Sequence, residues 1–233
     1  MLQSILKTCA LFLCISLLGA DGLVSRNLAD SDIYQWTVGP WATAQGSAGE
    51  SKAKPPQAAA TSTLMLTAEY SGNGFEHISF KSSIARIPGE LQRFTVWYRG
   101  TAAGPSWILA FKDGKGQEKV GWKKLEKSLS IKEGEWQELS FDIPAEWEQP
   151  VSFTGINAHN WGDQKFKGPS TVELHDLRFY TDVSQVSDPA TLVSINAETG
   201  HQREIFTTDD ELAFRLVLEN WQAQPVQGKL AFE

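Results

Sequence analysis

Nine tryptophans and four histidines are the side chains of this sequence with the most to offer a ligand. Trp97, Trp122 and Trp136 fall by strand alternation on the less apolar face of their segments, with Arg99, Lys124 and Glu138 close by. Further on, Asn157-Ala158-His159-Asn160-Trp161-Gly162-Asp163 concentrates hydrogen-bonding groups around one indole, a composition suited to a loop site on a rigid scaffold. Flat aromatic rings with polar neighbours suit a ring-shaped, hydroxylated ligand, because the axial C–H groups of a pyranose pack on the ring while the polar groups fix its orientation. On that chemistry the candidate ligand-binding residues are Trp97, Arg99, Trp122, Trp136, His159, Asn160 and Trp161. A plainer role for the last of these is equally written in the sequence: Trp161 folding back as a cap, with Asn160 and Gly162 turning the chain.

Covalent and metal chemistry find less support. Both cysteines, Cys9 and Cys14, lie near the start of the chain, and no Gly-x-Ser-x-Gly elbow presents a serine nucleophile. His77, His159, His175 and His201 are far apart and form no His-x-x-x-His pattern. Glu135, Glu138, Asp142, Glu146 and Glu148 supply carboxylates in number, but glycoside hydrolysis needs two at a fixed separation across a cleft, and a solvated strand face explains them as well. The segment therefore reads as non-catalytic, with no cofactor and no protein-bound metal indicated by a motif.

Residues Met1–Ala20 read as a secretory signal peptide, since Lys7 precedes the apolar run Cys9–Leu18 and small residues follow at Gly19, Ala20 and Gly22. The run is too short for a bilayer core, which needs about 20 apolar residues, and no second long run follows Leu18. Export would remove both cysteines, so the mature fold must rest on packing rather than disulfides. Acids outnumber bases, 28 against 21, and no block of positive charge appears, which argues against nucleic acid as a partner. A secreted, periplasmic or extracellular monomer free of the membrane after cleavage is expected.

The remainder is a succession of short apolar-polar runs punctuated by Gly, Pro, Asn and Asp, with no helical periodicity as long as three turns. Eight runs stand out: Thr63–Tyr70, Phe75–Ile84, Leu91–Arg99, Ser106–Lys112, Gln117–Leu125, Glu135–Ile143, Ser152–His159 and Val172–Tyr180. Their number and spacing predict an all-β sandwich. Alternation places Phe94, Val96 and Tyr98 inside, with Trp107, Leu109 and Phe111, and Ile78 and Phe80, likewise. Asp113-Gly114-Lys115-Gly116 predicts a hairpin whose glycines can take positive φ. Ala42–Thr61, poor in large apolar residues, predicts a long surface loop.

The hairpin segment Trp107–Gly116, the run Gly134–Phe141 and the closing run Val172–Phe179 occur in the order seen in jelly-roll, galactose-binding-like modules, and residues 33–182 resemble that family. The resemblance implies a jelly-roll β-sandwich acting as a carbohydrate-binding domain of a secreted glycoside hydrolase or polysaccharide lyase, with a polysaccharide or oligosaccharide as partner. Residues 183–190 read as a linker, and residues 191–233, with Thr208–Phe214 and Leu218–Asn220, resemble the first half of a bacterial immunoglobulin-like domain, incomplete at Glu233. Related modules often hold structural calcium on two adjacent carboxylates in the last strand; here that place reads His175-Asp176. Two other functions stay open: polysaccharide cleavage by the full-length protein, and a spacer or protein-contact domain in which every indole is packing.

Overall fold

The computed structural model describes residues 23–27, 36–57, 62–82, 87–114, 126–161, 165–187, 193–199 and 214–220. These residues hold strands and turns, and no helix among them is long and apolar enough to cross a membrane. In chain order the strands are β1 Leu23–Asn27, β2 Trp36–Trp41, β3 Gln45–Ser51, β4 Thr63–Tyr70, β5 Glu76–Ser82, β6 Glu90–Gly100 and β7 Ser106–Lys112. They continue as β8 Glu126–Ser128, β9 Gln137–Asp142, β10 Ser152–Asn160, β11 Gly168–Asp182, β12 Val193–Thr199 and β13 Phe214–Asn220.

Two antiparallel sheets form a sandwich. One runs β3-β4-β11-β6-β9, with β1 pairing the second half of β11, and the other runs β2-β5-β10-β7-β8. From β4 onward the chain crosses between the sheets at nearly every step, the jelly-roll path expected from the order of the runs. β12 and β13 pair separately, from Val193 opposite Asn220 to Thr199 opposite Phe214.

The core is what alternation predicts. Phe94 and Val96 are completely buried, Tyr98, Trp107 and Phe111 nearly so, and Ile78 and Phe80 face them from β5. Phe94, Phe111, Phe141, Phe153, Phe179 and Trp147 form a chain of ring contacts between the layers, with centroids 5.1–6.0 Å apart. Truncating one such ring, Phe94→Ala, removes about 3–5 kcal/mol. Strand β11 would lose this registry along its 15 residues were it not for a bulge at Asp176, whose φ of 49° swaps parity so that Leu174 before it and Leu177 and Phe179 after it all point inward. Aspartate tolerates that left-handed backbone better than most side chains.

Two expectations change, and a third lies outside the described residues. The predicted loop Ala42–Thr61 contains the strand β3, an edge strand of small residues whose slenderness is its packing solution: a Cβ on Gly46 would lie 2.9 Å from Val38 Cγ1 and 3.1 Å from Ile78 Cγ2. The run Gln117–Leu125 lies outside the described residues; the strand that returns antiparallel to β7 is β8, which pairs Ala110 with Glu126. Gly114 is needed for close approach rather than for positive φ, since its N–H donates to the Glu148 carbonyl (2.7 Å) and a Cβ there would sit 2.2 Å from the Gln149 carbonyl oxygen.

Candidate functional site

Inward alternation on β2, β5, β10 and β7 sends a second set of residues to the outer face of the five-stranded sheet. The strand register stacks them in rows: Trp41, His77, His159 and Ser106 across one end, then Gly39, Ser79, Asn157 and Ile108, then Thr37 opposite Lys81. The end row, with Trp161 just beyond β10, makes a continuous aromatic array. Trp41 stacks on His77, with centroids 5.3 Å apart and an interplanar angle of 30°. His77 meets His159 edge-on at 5.8 Å, and Trp161 lies over His159 at 4.1 Å and 18°. Because Trp161 is edge-on to His77 at 86°, the two indole planes are steeply inclined and form a corner rather than a flat shelf. Each imidazole supports one indole, leaving Trp41 54% and Trp161 45% exposed. Phe75, 61% exposed under the Lys165 ammonium at 3.9 Å, sits at the same end of the sheet.

A buried polar node fixes this end. Glu76 has no exposed surface, yet its carboxylate accepts from Thr43 Oγ1 (2.5 Å), Ser71 Oγ (2.9 Å) and the amides of Ser71 (3.2 Å) and Gly72 (3.1 Å). Burial opposes its charge, but these hydrogen bonds outweigh that and hold the carboxyl below its ordinary range. Asn160 Nδ2 reaches Glu76 Oε2 at 3.4 Å and donates to the Phe166 carbonyl at 2.9 Å, while Asn160 Oδ1 accepts from the Phe166 amide at 2.9 Å. Phe166 in turn packs edge-on against Tyr70, whose hydroxyl donates to the Ala158 carbonyl at 2.8 Å. Burial first, and the Glu76 charge second, raise the Tyr70 pKa, so the phenol stays a donor. One carboxylate thus ties the turn after β2, the turn after β4 and the loop after β10 around the aromatic corner.

The seven residues singled out in the sequence divide. His159 and Trp161 belong to the corner. Asn160, 3% exposed, points inward with its amide hydrogen-bonded at both ends, and so holds the loop to Phe166. Trp97, Arg99 and Trp136 sit on the outer face of the other sheet. There the Arg99 guanidinium covers the Trp136 ring at 5.1 Å and pairs with Glu173, which also accepts from Ser51 Oγ. His175, buried, is edge-on to Trp136, and its Nδ1 lies 2.9 Å from Thr63 Oγ1. Trp122 lies outside the described residues. Trp41 and His77 were missed; the only hint is that Trp36-Thr37-Val38-Gly39-Pro40-Trp41 alternates like a strand, and nothing local tells that His77 will face His159.

The calcium position implied by related modules does not fit these residues. The Asp176 carboxylate is held by Arg178 at 2.7 Å and the neighbouring His175 is engaged with Thr63. Among the described residues no three His, Cys, Asp or Glu side chains converge as a metal site.

No family model and no curated protein matches this sequence. Among solved structures, one describing promiscuous carbohydrate-binding modules of the β-sandwich superfamily is similar over 66% of this chain, at 16% identity and a TM-score of 0.45; the match spans 60% of that chain. A family 11 carbohydrate-binding module of a cellulosomal cellulase from Clostridium thermocellum is similar over 69% of this chain and 95% of its own, at 13% identity and a TM-score of 0.41. The enzymatically active domain of a bacteriophage tailspike protein is similar over 66% of this chain and 20% of its own, at 14% identity and a TM-score of 0.41.

Proposed function

We propose that the sandwich is a non-catalytic carbohydrate-binding module, and that its site is the corner of Trp41, His77, His159 and Trp161. The observation that carries this reading is the pair of half-exposed indoles braced by imidazoles on one sheet end. Their outer faces accept the C–H side of a pyranose. Ser79, Asn157 and Ser106 stand in the same and the next row, with groups suited to sugar hydroxyls.

The wider assignment belongs to the same proposal. The leader-like residues 1–20 support export, residues 183–190 join the sandwich to an immunoglobulin-like unit that includes β12 and β13, and the whole serves a secreted polysaccharide-degrading enzyme. Titration of the protein with plant, algal and bacterial polysaccharides, followed by tryptophan fluorescence, is expected to perturb the emission of Trp41 and Trp161. Silence across the panel sinks the sugar reading, and reducing-sugar release by this chain alone sinks the non-catalytic one.

A further inference from the structure

We infer that the glycan taken by this face is acidic, a polymer bearing carboxylate groups; the inference rests on the sugar-binding reading above and specifies its ligand. The described outward residues of β2, β5, β10 and β7 include Lys81 and Lys112 together with His77 and His159, and contain no Asp or Glu. In register, the edge strand β8 sets Glu126 opposite Ala110. Lys165 adds a third ammonium at the aromatic end, over Phe75.

Such a face runs against the composition of the chain, whose net charge is −7. The outer face of the six-stranded sheet follows that composition, with Glu69, Glu138, Asp142 and Glu173 outward beside Arg93, Arg99 and Arg178. Its cations are engaged: Arg99 with Glu173 and Trp136, Arg178 with Asp176 at 2.7 Å, and Arg93 over the Tyr180 ring at 4.6 Å. Among the described residues neither Lys81 nor Lys112 has an ion-pair partner, and Lys81 is exposed.

Position matters as much as sign. Like-facing residues along a strand are about 6.6 Å apart, so Lys81 stands two rows, roughly 13 Å, from the Trp41 and His77 row. Between them lie Ser79, Asn157 and the bare Gly39. A chain seated on the indoles and running along the strands passes a hydroxyl and an amide and then meets an ammonium, which is where a carboxylate on a following sugar would be neutralised.

The test compares polygalacturonate and alginate with the same polymers after reduction of their carboxyl groups to alcohols, and with a neutral mixed-linkage β-glucan, by affinity electrophoresis of the full chain. The expected result is preferential retention by the acidic polymers, weakened at about 0.5 M salt and weakened about threefold by Lys81→Gln, with the reduced polymers indifferent to that substitution. Gly39→Gln provides a second variant at a position with room for a Cβ, which meets only Ser79 at 3.7 Å or more, and its melting temperature is measured beside wild type to check the fold. It is expected to obstruct the path and lower retention further. Equal retention by reduced and acidic polymers, unchanged in Lys81→Gln, overturns the acidic ligand while the sugar reading stands. Retention by acidic polymers that survives Trp41→Ala points to bulk charge attraction and also overturns the inference. No retention by any polymer removes both.

Discussion

The two outer faces of the sandwich carry the same kinds of residue and use them oppositely. On the six-stranded sheet Trp136 is closed over by Arg99, whose charge is answered by Glu173, and His175 is sealed beneath. On the five-stranded sheet the imidazoles lie against the indoles, His77 on Trp41 and His159 on Trp161, and both indoles stay about half exposed. Arginine over an indole spends that surface on an internal cation–π contact; histidine under it goes with about half of the indole surface exposed. An indole thus marks a site only when its unoccupied face is known, and that is a property of neighbours rather than of composition.

The largest effect expected from this contrast is on binding. Removing both rings in Trp41→Ala/Trp161→Ala should weaken glycan affinity by about 3 kcal/mol, roughly 100-fold, by isothermal titration calorimetry, with the melting temperature little changed because both side chains are exposed. The matching Trp136→Ala should do the reverse, lowering stability and leaving affinity untouched. If Trp136 governs affinity instead, the roles of the two faces are exchanged.

Next comes the support of the corner. Glu76→Gln removes a charged acceptor from donors of Thr43, Ser71 and Gly72 and should cost about 2 kcal/mol in urea unfolding, with a loss of affinity because the loops around Trp41 and Trp161 loosen. Acid should act on the same group. The Glu76 pKa is lower in the folded chain than in the unfolded one, so its contribution is complete above the ordinary carboxylate range and is lost as pH falls through the folded value. Wild type should therefore lose more stability between about pH 5 and 2 than Glu76→Gln does. Parallel acid profiles would remove the node from the account.

The smallest effect should come from the ion pair of the other face. Arg99→Met exchanges a partly exposed pair for an apolar chain over Trp136 and is expected to change stability by less than about 1 kcal/mol, with unchanged glycan affinity. A clear affinity loss would show that the six-stranded face also meets ligand and would blur the contrast.

Much of the scaffold could be read from residues alone. β4 and β7 begin and end where alternation and the flanking glycines and prolines place them, and Trp107, Leu109 and Phe111 turn inward as their period of two requires. The edge strand β3 escaped notice because Gly46, Ser47, Ala48 and Gly49 have turn-like composition; their strand is imposed by pairing with β4 and by the nearness of Val38 and Ile78. Asn160 was legible as important but not in its role, since an inward amide and an outward one look alike in a sequence.

By itself, then, the order of apolar and polar residues determined an all-β sandwich and the inner side of each strand, because burial of alternate side chains is a local periodic constraint. Which outward residues would meet was decided only by tertiary structure. His77 and His159 come together through antiparallel pairing of β5 with β10, and Trp41 joins them through β2, contacts between distant segments that no local pattern encodes. The same long-range register separated Trp97 and Trp136 from Trp161 by the full thickness of the sandwich, and so settled which indoles share a surface.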